Sequence, residues 1–222
     1  MKCIVPCAGE SSRMSYIPKH LVRIGGRPLI TYVIDAWEDS VDSFIFVLKR
    51  SSTYMWEYLP ENSAVVFQDE PKGLADAILR VAPYVKGKFI VALGDCLYKG
   101  TFKEDEIQLG IGTLVLSSPE INKNFLVRTS KSTGLIEELV EKPKGDFLLG
   151  LCGMGIYFLD DRVFEYIRKI DIIPRGGDFT YILQAMIDSG EKISPVNFKG
   201  QYINIGGPED IEKAEKILEY EE

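Results

Sequence analysis

The sequence predicts an α/β protein with a mostly parallel mixed sheet, and three observations support this fold class. Short apolar runs alternate with segments of helical periodicity over the first hundred residues, as expected for parallel strands joined by right-handed crossovers. A turn rich in small residues follows the first predicted strand. Polar clusters follow several later strands, at the edge where ligands bind in open α/β sheets.

The first half of the chain contains the alternating elements. An apolar run at 3–7 predicts a buried strand, and Pro28 suits the first turn of a helix over 29–39. The elements predicted next are a strand at 43–48, a short helix at 52–58, a strand at 64–67, a helix at 73–85 and a strand at 88–93.

From about residue 109 the pattern changes to a smaller mixed α+β arrangement. The elements predicted there are strands at 111–117, 125–129, 135–140, 151–159 and 192–198, and helices at 161–169, 178–189 and 208–220. Because no linker separates the halves, we expect a single domain over 1–222 whose halves meet near residue 108.

Composition excludes several classes of protein. The net charge of −7, without a local basic patch, argues against a nucleic-acid partner. No apolar run is long enough for a membrane span, and no signal peptide is recognisable. His20 is the only histidine, which argues against a Ser-His-Asp triad and a multi-histidine zinc site. The four cysteines lack CxxC spacing, so we expect reduced core thiols and a cytoplasmic location.

The turn after the first strand is the strongest candidate for a phosphate site. Small residues at Gly9, Ser11 and Ser12 let backbone N–H groups approach an anion, and Arg13 matches phosphate oxygens with paired donors. Lys19 adds a point charge behind a proline. Neither a Walker loop nor a GxGxxG motif is present. A solvated surface turn is the alternative.

Two further sites follow predicted strands. Asp95 is placed to hold Mg²⁺ on a phosphate, with Asn204 as a second oxygen ligand; the alternatives are a helix-capping Asp and a turn-forming Asn. The Gln68 carboxamide matches the edge of a pyrimidine, with Gly73 opening the next helix. A polar loop before a helix would explain Gln68 equally well.

Seven ordered segments make a resemblance specific. They are AGESSRM, PKHLVRIGGRPLI, QDEPKGLADAI, ALGD, VEKP, GIYFLDD and INIGGPEDIEKA. In this order they resemble the sugar-1-phosphate nucleotidyltransferase family, including glucose-1-phosphate thymidylyl- and uridylyltransferases. The resemblance implies a Rossmann-like three-layer α/β/α fold of the nucleotide-diphospho-sugar transferase type. It also implies a nucleotide-binding half over about 1–108 and an acceptor-binding half over about 109–222.

The implied reaction joins UTP or dTTP to a sugar 1-phosphate with Mg²⁺ and releases pyrophosphate. Arg13, Lys19 and Lys142 are the implied catalytic residues, and Asp95 and Asn204 the implied metal ligands. The implied nucleotide-binding residues are Ala8, Gly9, Glu10, Ser11, Ser12, Arg13, Lys19, Gln68, Gly73 and Asp95. The implied acceptor-binding residues are Leu74, Leu93, Glu141 and Lys142.

The chain departs from the family's pattern at four positions. Ser11 and Phe125 stand where glycine is usual, Asn204 replaces a frequent Asp, and Cys96 replaces a common Asn. Two alternatives therefore stay open: a CTP-dependent cytidylyltransferase acting on phosphocholine or a molybdopterin, and a nucleotide-binding regulatory homologue without turnover. The sequence also leaves open whether the chain forms a homo-oligomer.

Overall fold

The structure is a computed structural model and describes residues 1–10, 18–70, 72–102, 111–118, 124–143, 150–170 and 178–219. The chain divides into two compact units. Unit 1 comprises Met1–Pro71, Ala92–Gly100 and Gly200–Glu222, and unit 2 comprises Lys72–Val91 and Thr101–Lys199. The predicted boundary near residue 108 stays a prediction.

The described elements follow in chain order: β1 (Lys2–Pro6), β2 (Arg23–Ile24), β3 (Arg27–Pro28), α1 (Leu29–Asp35), β4 (Ser43–Leu48), β5 (Ser63–Phe67), α2 (Leu74–Arg80), β6 (Phe89–Ala92), β7 (Cys96–Thr101), β8 (Gly112–Ser118), β9 (Phe125–Thr129), β10 (Ile136–Glu141), β11 (Gly150–Leu159), α3 (Val163–Lys169), α4 (Thr180–Asp188), β12 (Ser194–Asn197), β13 (Lys199–Asn204) and α5 (Glu209–Glu219).

Unit 1 contains the parallel strands that the alternating pattern predicts. β1 pairs in parallel with β4, and β4 with β5, so that Ile4 lies opposite Ile45 and Ile45 opposite Ala64. The middle residues of β1 and nearly all of β4 are buried, as expected for continuous apolar strands covered on both faces. The carboxyl ends of these strands therefore point to one edge of the sheet.

Two strand pairs in unit 1 have no counterpart in the sequence prediction. β2 and β3 form an antiparallel hairpin through Gly25 and Gly26, whose φ angles of 55° and 82° suit a two-residue turn that glycine favours. β13 pairs with β7. The hairpin and α5 contribute to one buried apolar cluster. This cluster includes Ile24, Ile205 and Ala214.

Unit 2 is built on antiparallel strands. β9 lies between β10 and β11, β11 also pairs with β8, and β12 runs parallel to β8. α4 packs against β10 and against α3, which in turn packs against α2. This arrangement agrees with the mixed α+β pattern predicted for the second half.

The predicted bounds differ from the structure mainly in the helices. The helix predicted at 29–39 ends at Asp35. The helix predicted at 73–85 ends at Arg80, and a 3₁₀ turn over Ala82–Tyr84 follows, since Pro83 cannot continue the α-helical hydrogen bonding. The segment predicted as a helix at 52–58 is a 3₁₀ helix, Thr53–Tyr58. Within the described parts of the chain, no helix is long and apolar enough to cross a membrane.

Candidate functional site

Unit 1 brings two of the predicted site residues together. The Lys19 ammonium lies 3.4 Å from a carboxylate oxygen of Asp95, although 76 residues separate them in sequence. The Lys19 side chain is 16% exposed and that of Asp95 is 31% exposed. This cation and anion therefore form a partly buried pair. With Asn204 they make up what we call the Asp95 cluster.

The backbone on both sides of Asp95 is tightly packed. A Cβ atom at Gly94 would lie 2.4 Å from the Cys7 sulfur, so only glycine fits there without a shift of the surrounding atoms. The Ile205 N–H donates to the Asp95 carbonyl oxygen over 2.9 Å, which brings the residue after Asn204 against Asp95. Asp95 lies in a turn that leads into β7 and not into a helix. The helix-capping alternative is therefore wrong.

Asn204 lies at the end of β13, where a buried carboxylate organises the following turn. Asp210 is 1% exposed and accepts the N–H groups of Gly206 and Gly207 over 2.8 and 3.1 Å. Gly206 also donates to the Asn204 carbonyl oxygen over 3.0 Å. The backbone turn that follows Asn204 is thus held by Asp210 and by the Asn204 carbonyl oxygen.

The donors in the Asp95 cluster suit a magnesium ion. Mg²⁺ prefers oxygen ligands and is commonly held by one or two carboxylates together with substrate phosphates and waters. Asp95 offers a carboxylate and Asn204 an amide oxygen. No group of three or more His, Cys, Asp or Glu side chains that could hold a metal occurs among the residues that the structure describes. Asp95 and Asn204 are thus both oxygen donors of the kind that Mg²⁺ prefers.

Two buried polar side chains adjoin this cluster. The Cys96 sulfur lies 3.4 Å from the Tyr202 hydroxyl and 3.7 Å from an Asp95 oxygen, and burial raises the pKa of the Cys96 thiol well above its ordinary value. His20 is 5% exposed and stacks on Tyr54 with ring centroids 6.2 Å apart. Burial lowers the pKa of His20 to about 4, against the opposing influence of Asp95.

The predicted phosphate turn is described only in part. The Cys7 N–H bonds the Val47 carbonyl oxygen over 2.8 Å, and the buried Ala8 follows. Gly9 and Glu10 are exposed, and no described atom would lie within 4 Å of a Cβ at Gly9. The predicted residues Ser11, Ser12 and Arg13 lie outside the described residues.

The predicted base-reading residue Gln68 follows β5 directly. Its N–H donates to the Leu48 carbonyl oxygen over 2.8 Å, and its side chain is 4% exposed. The next residue, Asp69, accepts the Arg50 N–H over 2.8 Å and also forms an ion pair with the Arg50 guanidinium. The backbone at Gln68 is therefore fixed on both sides.

Three other predicted residues are half-buried. Gly73 directly precedes α2, and its φ of 90° is one that glycine favours. Leu74 begins α2 in unit 2, and Leu93 follows β6 in unit 1. The roles of these residues stay predictions.

Unit 2 holds a second polar cluster at the end of β10, which we call the Glu141 cluster: Glu141, Lys142, Asp178 and Thr180. The Lys142 ammonium lies 3.1 Å from a Glu141 oxygen and 3.4 Å from an Asp178 oxygen. The Thr180 hydroxyl donates to the other oxygen of Glu141. The Glu141 side chain is 15% exposed, whereas that of Lys142 is 58% exposed.

Lys142 has an uncommon backbone conformation and a raised pKa. Its φ is 42°, and among the described residues other than glycine it alone has a positive φ. Partial burial lowers the pKa of Lys142, but Glu141 and Asp178 together raise it above its ordinary value. Backbone strain in a non-glycine residue is concentrated at functional sites. Lys142 thus stays a cation between two acids.

Three polar residues that support these clusters were not predicted from the sequence. Asp210 holds the turn after Asn204, and Asp178 and Thr180 contact Lys142 and Glu141. The contacts of Asp178 and Thr180 join residues 36 and 39 positions apart, so no local motif indicates them. Asp210 gave a clearer signal, because an acid in the first turn of a helix can accept N–H bonds from the residues before it.

Comparison with protein families supports the sequence resemblance. A family model described as nucleotidyl transferase matches residues 11–221. A "Bifunctional protein GlmU" of Methanocaldococcus jannaschii is 29% identical over 226 residues, which cover 98% of this chain and 54% of the relative. The chain thus spans about half the length of that relative. The "UTP--glucose-1-phosphate uridylyltransferase AglF" of Haloferax volcanii is 25% identical over 100% of this chain and 98% of its own length.

Solved structures agree on the fold. A putative glucose-1-phosphate thymidylyltransferase from Bacillus anthracis has a TM-score of 0.84 at 20% identity, covering 100% of this chain and 96% of that one. A UDP-glucose pyrophosphorylase complexed with UDP-glucose has a TM-score of 0.84 at 22% identity, covering 100% of this chain and 99% of that one. These likenesses confirm the predicted Rossmann-like α/β fold.

Proposed function

Because the chain belongs to the nucleotidyl transferase family, we propose that it transfers a nucleotidyl group from UTP or dTTP to a sugar 1-phosphate and releases pyrophosphate. The observation that carries this proposal is the Lys19–Asp95 pair, 3.4 Å apart in a chain matched by the family over residues 11–221. A cation beside phosphate oxygens and a carboxylate that holds a metal ion both stabilise the charge that develops in phosphoryl transfer.

Unit 1 would bind the nucleoside triphosphate. The exposed backbone at Gly9 and Glu10, with Arg13 and Lys19, would hold the phosphates, and Gln68 would bond the edge of the pyrimidine. Asp95 and Asn204 would hold Mg²⁺. When bound, this ion would neutralise charge on the phosphates and polarise a phosphoryl oxygen.

Unit 2 would bind the acceptor. Glu141, with one oxygen bonded by Thr180, would accept hydrogen bonds from sugar hydroxyls. The Lys142 ammonium, 58% exposed, would contact the acceptor phosphate. Its present partners, Glu141 and Asp178, would keep it charged until the phosphate arrives.

The reaction needs no covalent intermediate on the protein. An oxygen of the sugar phosphate attacks the α-phosphorus of the triphosphate, a new P–O bond forms, and the bond to the departing pyrophosphate breaks. The side chains position two anions that otherwise repel each other, and Arg13, Lys19 and Lys142 offset the charge. A cytoplasmic location stays a prediction from the sequence, and the oligomeric state stays open.

A pyrophosphate-release assay tests the proposal. UTP, dTTP, CTP, ATP and GTP are each combined with glucose 1-phosphate, N-acetylglucosamine 1-phosphate or phosphocholine in the presence of Mg²⁺. We expect release with UTP or dTTP and a sugar phosphate. A strong preference for CTP would contradict the assignment of Gln68 and favour the cytidylyltransferase. Nucleotide binding without release from any combination would favour the regulatory homologue.

A further inference from the structure

An aromatic ring occupies the strand next to the Glu141 cluster. In the register of the sheet, Glu141 of β10 lies opposite Phe125 of β9, and Phe125 lies opposite Gly153 of β11. Directly opposed residues in antiparallel strands have Cβ atoms about 5 Å apart on the same face. Phe125 is therefore the immediate neighbour of Glu141 on the side towards β11.

The Phe125 ring fills the space that a side chain at position 153 would need. A Cβ atom at Gly153 would lie 1.8 Å from the Phe125 Cζ atom, and the two next nearest atoms, at 2.1 and 2.5 Å, belong to the same ring. No residue larger than glycine fits while the ring lies there. Phe125 and Gly153 therefore depend on each other.

Further aromatic rings hold Phe125 in this position. Phe125 is 5% exposed and stacks on Tyr157 at 6.2 Å between ring centroids, with 10° between the planes. Tyr157 meets the edge of Phe179 at 5.1 Å. Phe179 directly precedes Thr180, the residue that donates to Glu141. Phe125, Tyr157 and Phe179 are thus connected to the Glu141 cluster through both β9 and the start of α4.

We propose that Phe125, seated on Gly153, is the specificity-determining residue for the acceptor, and that it restricts the acceptor to sugar 1-phosphates without an N-acyl substituent. This inference rests on the proposed function, which assigns the acceptor to Glu141 and Lys142. The smallest common N-acyl group, N-acetyl, brings four heavy atoms and an amide that needs hydrogen-bond partners. The phenyl ring lies beside Glu141 and offers neither a donor nor an acceptor, so an amide turned towards it stays unpaired.

The test compares glucose 1-phosphate with N-acetylglucosamine 1-phosphate in wild type and in Phe125→Ala. We expect wild type to favour glucose 1-phosphate at least tenfold in kcat/KM, since hydrophobic pockets discriminate by about 10- to 200-fold per misfitted group. In Phe125→Ala the ratio should fall at least tenfold. Equal use of both acceptors by wild type, or an unchanged ratio in the variant, would overturn the inference while leaving the proposed function intact.

Two controls keep the result interpretable. Phe164→Ala removes a ring of similar burial, 4% exposed and stacked on Phe89 at 5.5 Å, and should lower the melting temperature without changing the acceptor ratio. If Phe125→Ala does not fold, Phe125→Leu is used, with a ratio expected between the two. A ratio that also changes in Phe164→Ala would show general loosening and overturn the inference.

A binding measurement separates this inference from the proposed function. The thermal shift caused by each sugar phosphate is recorded without nucleotide. A larger shift with glucose 1-phosphate in wild type, lost in Phe125→Ala, supports the role of Phe125 even if no pyrophosphate is released. Equal shifts in both proteins contradict it. In addition, Gly153→Ala should destabilise wild type but be tolerated in the Phe125→Ala background, because the ring that it would strike is then absent.

Discussion

The Asp95 cluster and the Glu141 cluster both place a lysine against a carboxylate, but they do so in opposite ways. Lys19 and Asp95 are 76 residues apart in sequence, and the Lys19 side chain is only 16% exposed. Lys142 adjoins Glu141 in the chain, has a second acidic partner in Asp178, and is 58% exposed. Its backbone, unlike that of Lys19, adopts a positive φ of 42°.

The difference indicates how each unit is prepared for its ligand. The position of Lys19 is fixed by its tertiary contact with the Asp95 turn, so this pair forms without a ligand. Lys142 is exposed and held by two acids, and its partner Asp178 is more exposed than Glu141, so an incoming phosphate can replace Asp178 while Glu141 stays paired. We infer a fixed nucleotide side and an acceptor side whose lysine can change partners.

The largest expected effect tests the fixed side. Asp95→Asn keeps the size of the side chain but removes the charge that pairs with Lys19 and would hold the metal. We expect kcat/KM for pyrophosphate release to fall about 100- to 1000-fold, the range for losing one electrostatic contact to the transition state. The matched control is Asp35→Asn, which breaks the exposed Arg27–Asp35 pair of 2.7 Å. An equal loss in both variants would contradict the role of Asp95.

A second prediction concerns stability near the fixed side. The pKa of His20 is about 4 in the folded protein and about 6.5 when unfolded. The unfolded state therefore binds more protons between these values, and the free energy of unfolding should fall by about 3 kcal/mol as the pH drops through this window. Asp95 is the charged group that opposes this shift, and Tyr54 stacks on the ring.

Urea unfolding at pH 7 and pH 4.5 measures this difference. His20→Phe keeps an aromatic ring against Tyr54 but cannot be protonated, so it should lose less stability than wild type on acidification. If both proteins lose the same free energy, another group is responsible for the acid sensitivity.

A third prediction tests the acceptor side. Thr180→Val keeps the shape of the side chain and removes the hydroxyl that donates to Glu141. We expect kcat/KM for the sugar phosphate to fall by about tenfold or more, since a hydrogen bond to a charged group contributes about 1.5 to 3 kcal/mol. The KM for the nucleotide should stay unchanged. Thr113→Val removes a buried hydroxyl that bonds the Ile156 carbonyl oxygen over 3.0 Å, and it should cost stability without this selective effect.

The smallest expected effect is the cost of the Lys142 conformation. Glycine adopts a positive φ without strain, so Lys142→Gly should be more stable than Lys142→Ala by about 1 kcal/mol. Both variants lose the ammonium and should lose activity. Gly134→Ala is the reverse control, because its φ is 72° and no described atom would lie within 4 Å of the new Cβ; it should be destabilised. Equal stability of the two Lys142 variants would show that the positive φ carries no strain.

Continuous apolar runs explain why several strands could be predicted from the sequence. The predicted strands SFIFVL and FLVRT match β4 and β9 to the residue. A short run rich in apolar residues can be assigned as a strand from local sequence alone, without knowledge of its partner strand. β13 is harder to predict, since KGQYIN has few apolar residues and is mostly exposed or half-buried. Its strand conformation depends on pairing with β7, which local sequence does not encode.

The residues of the candidate site likewise divide into those that local sequence predicts and those that it does not. Asp95 and Lys19 were identified because each follows a recognisable local pattern, and the structure places them 3.4 Å apart. Asp178 and Thr180 follow no such pattern, since their partners Lys142 and Glu141 come from another element. The contact between the Phe125 ring and Gly153 could likewise be found only from the strand register. Contacts between distant segments are therefore what the sequence could not predict.

The four buried cysteines have a practical consequence for labelling. All are free, and burial raises the pKa of Cys3, Cys7 and Cys96, so few of these thiols are in the reactive thiolate form at neutral pH. A cysteine introduced at the exposed Trp56 would react with maleimide dyes far faster than the native thiols. The wild-type chain can therefore serve, with its own cysteines retained, as the starting point for fluorescence measurements of ligand binding.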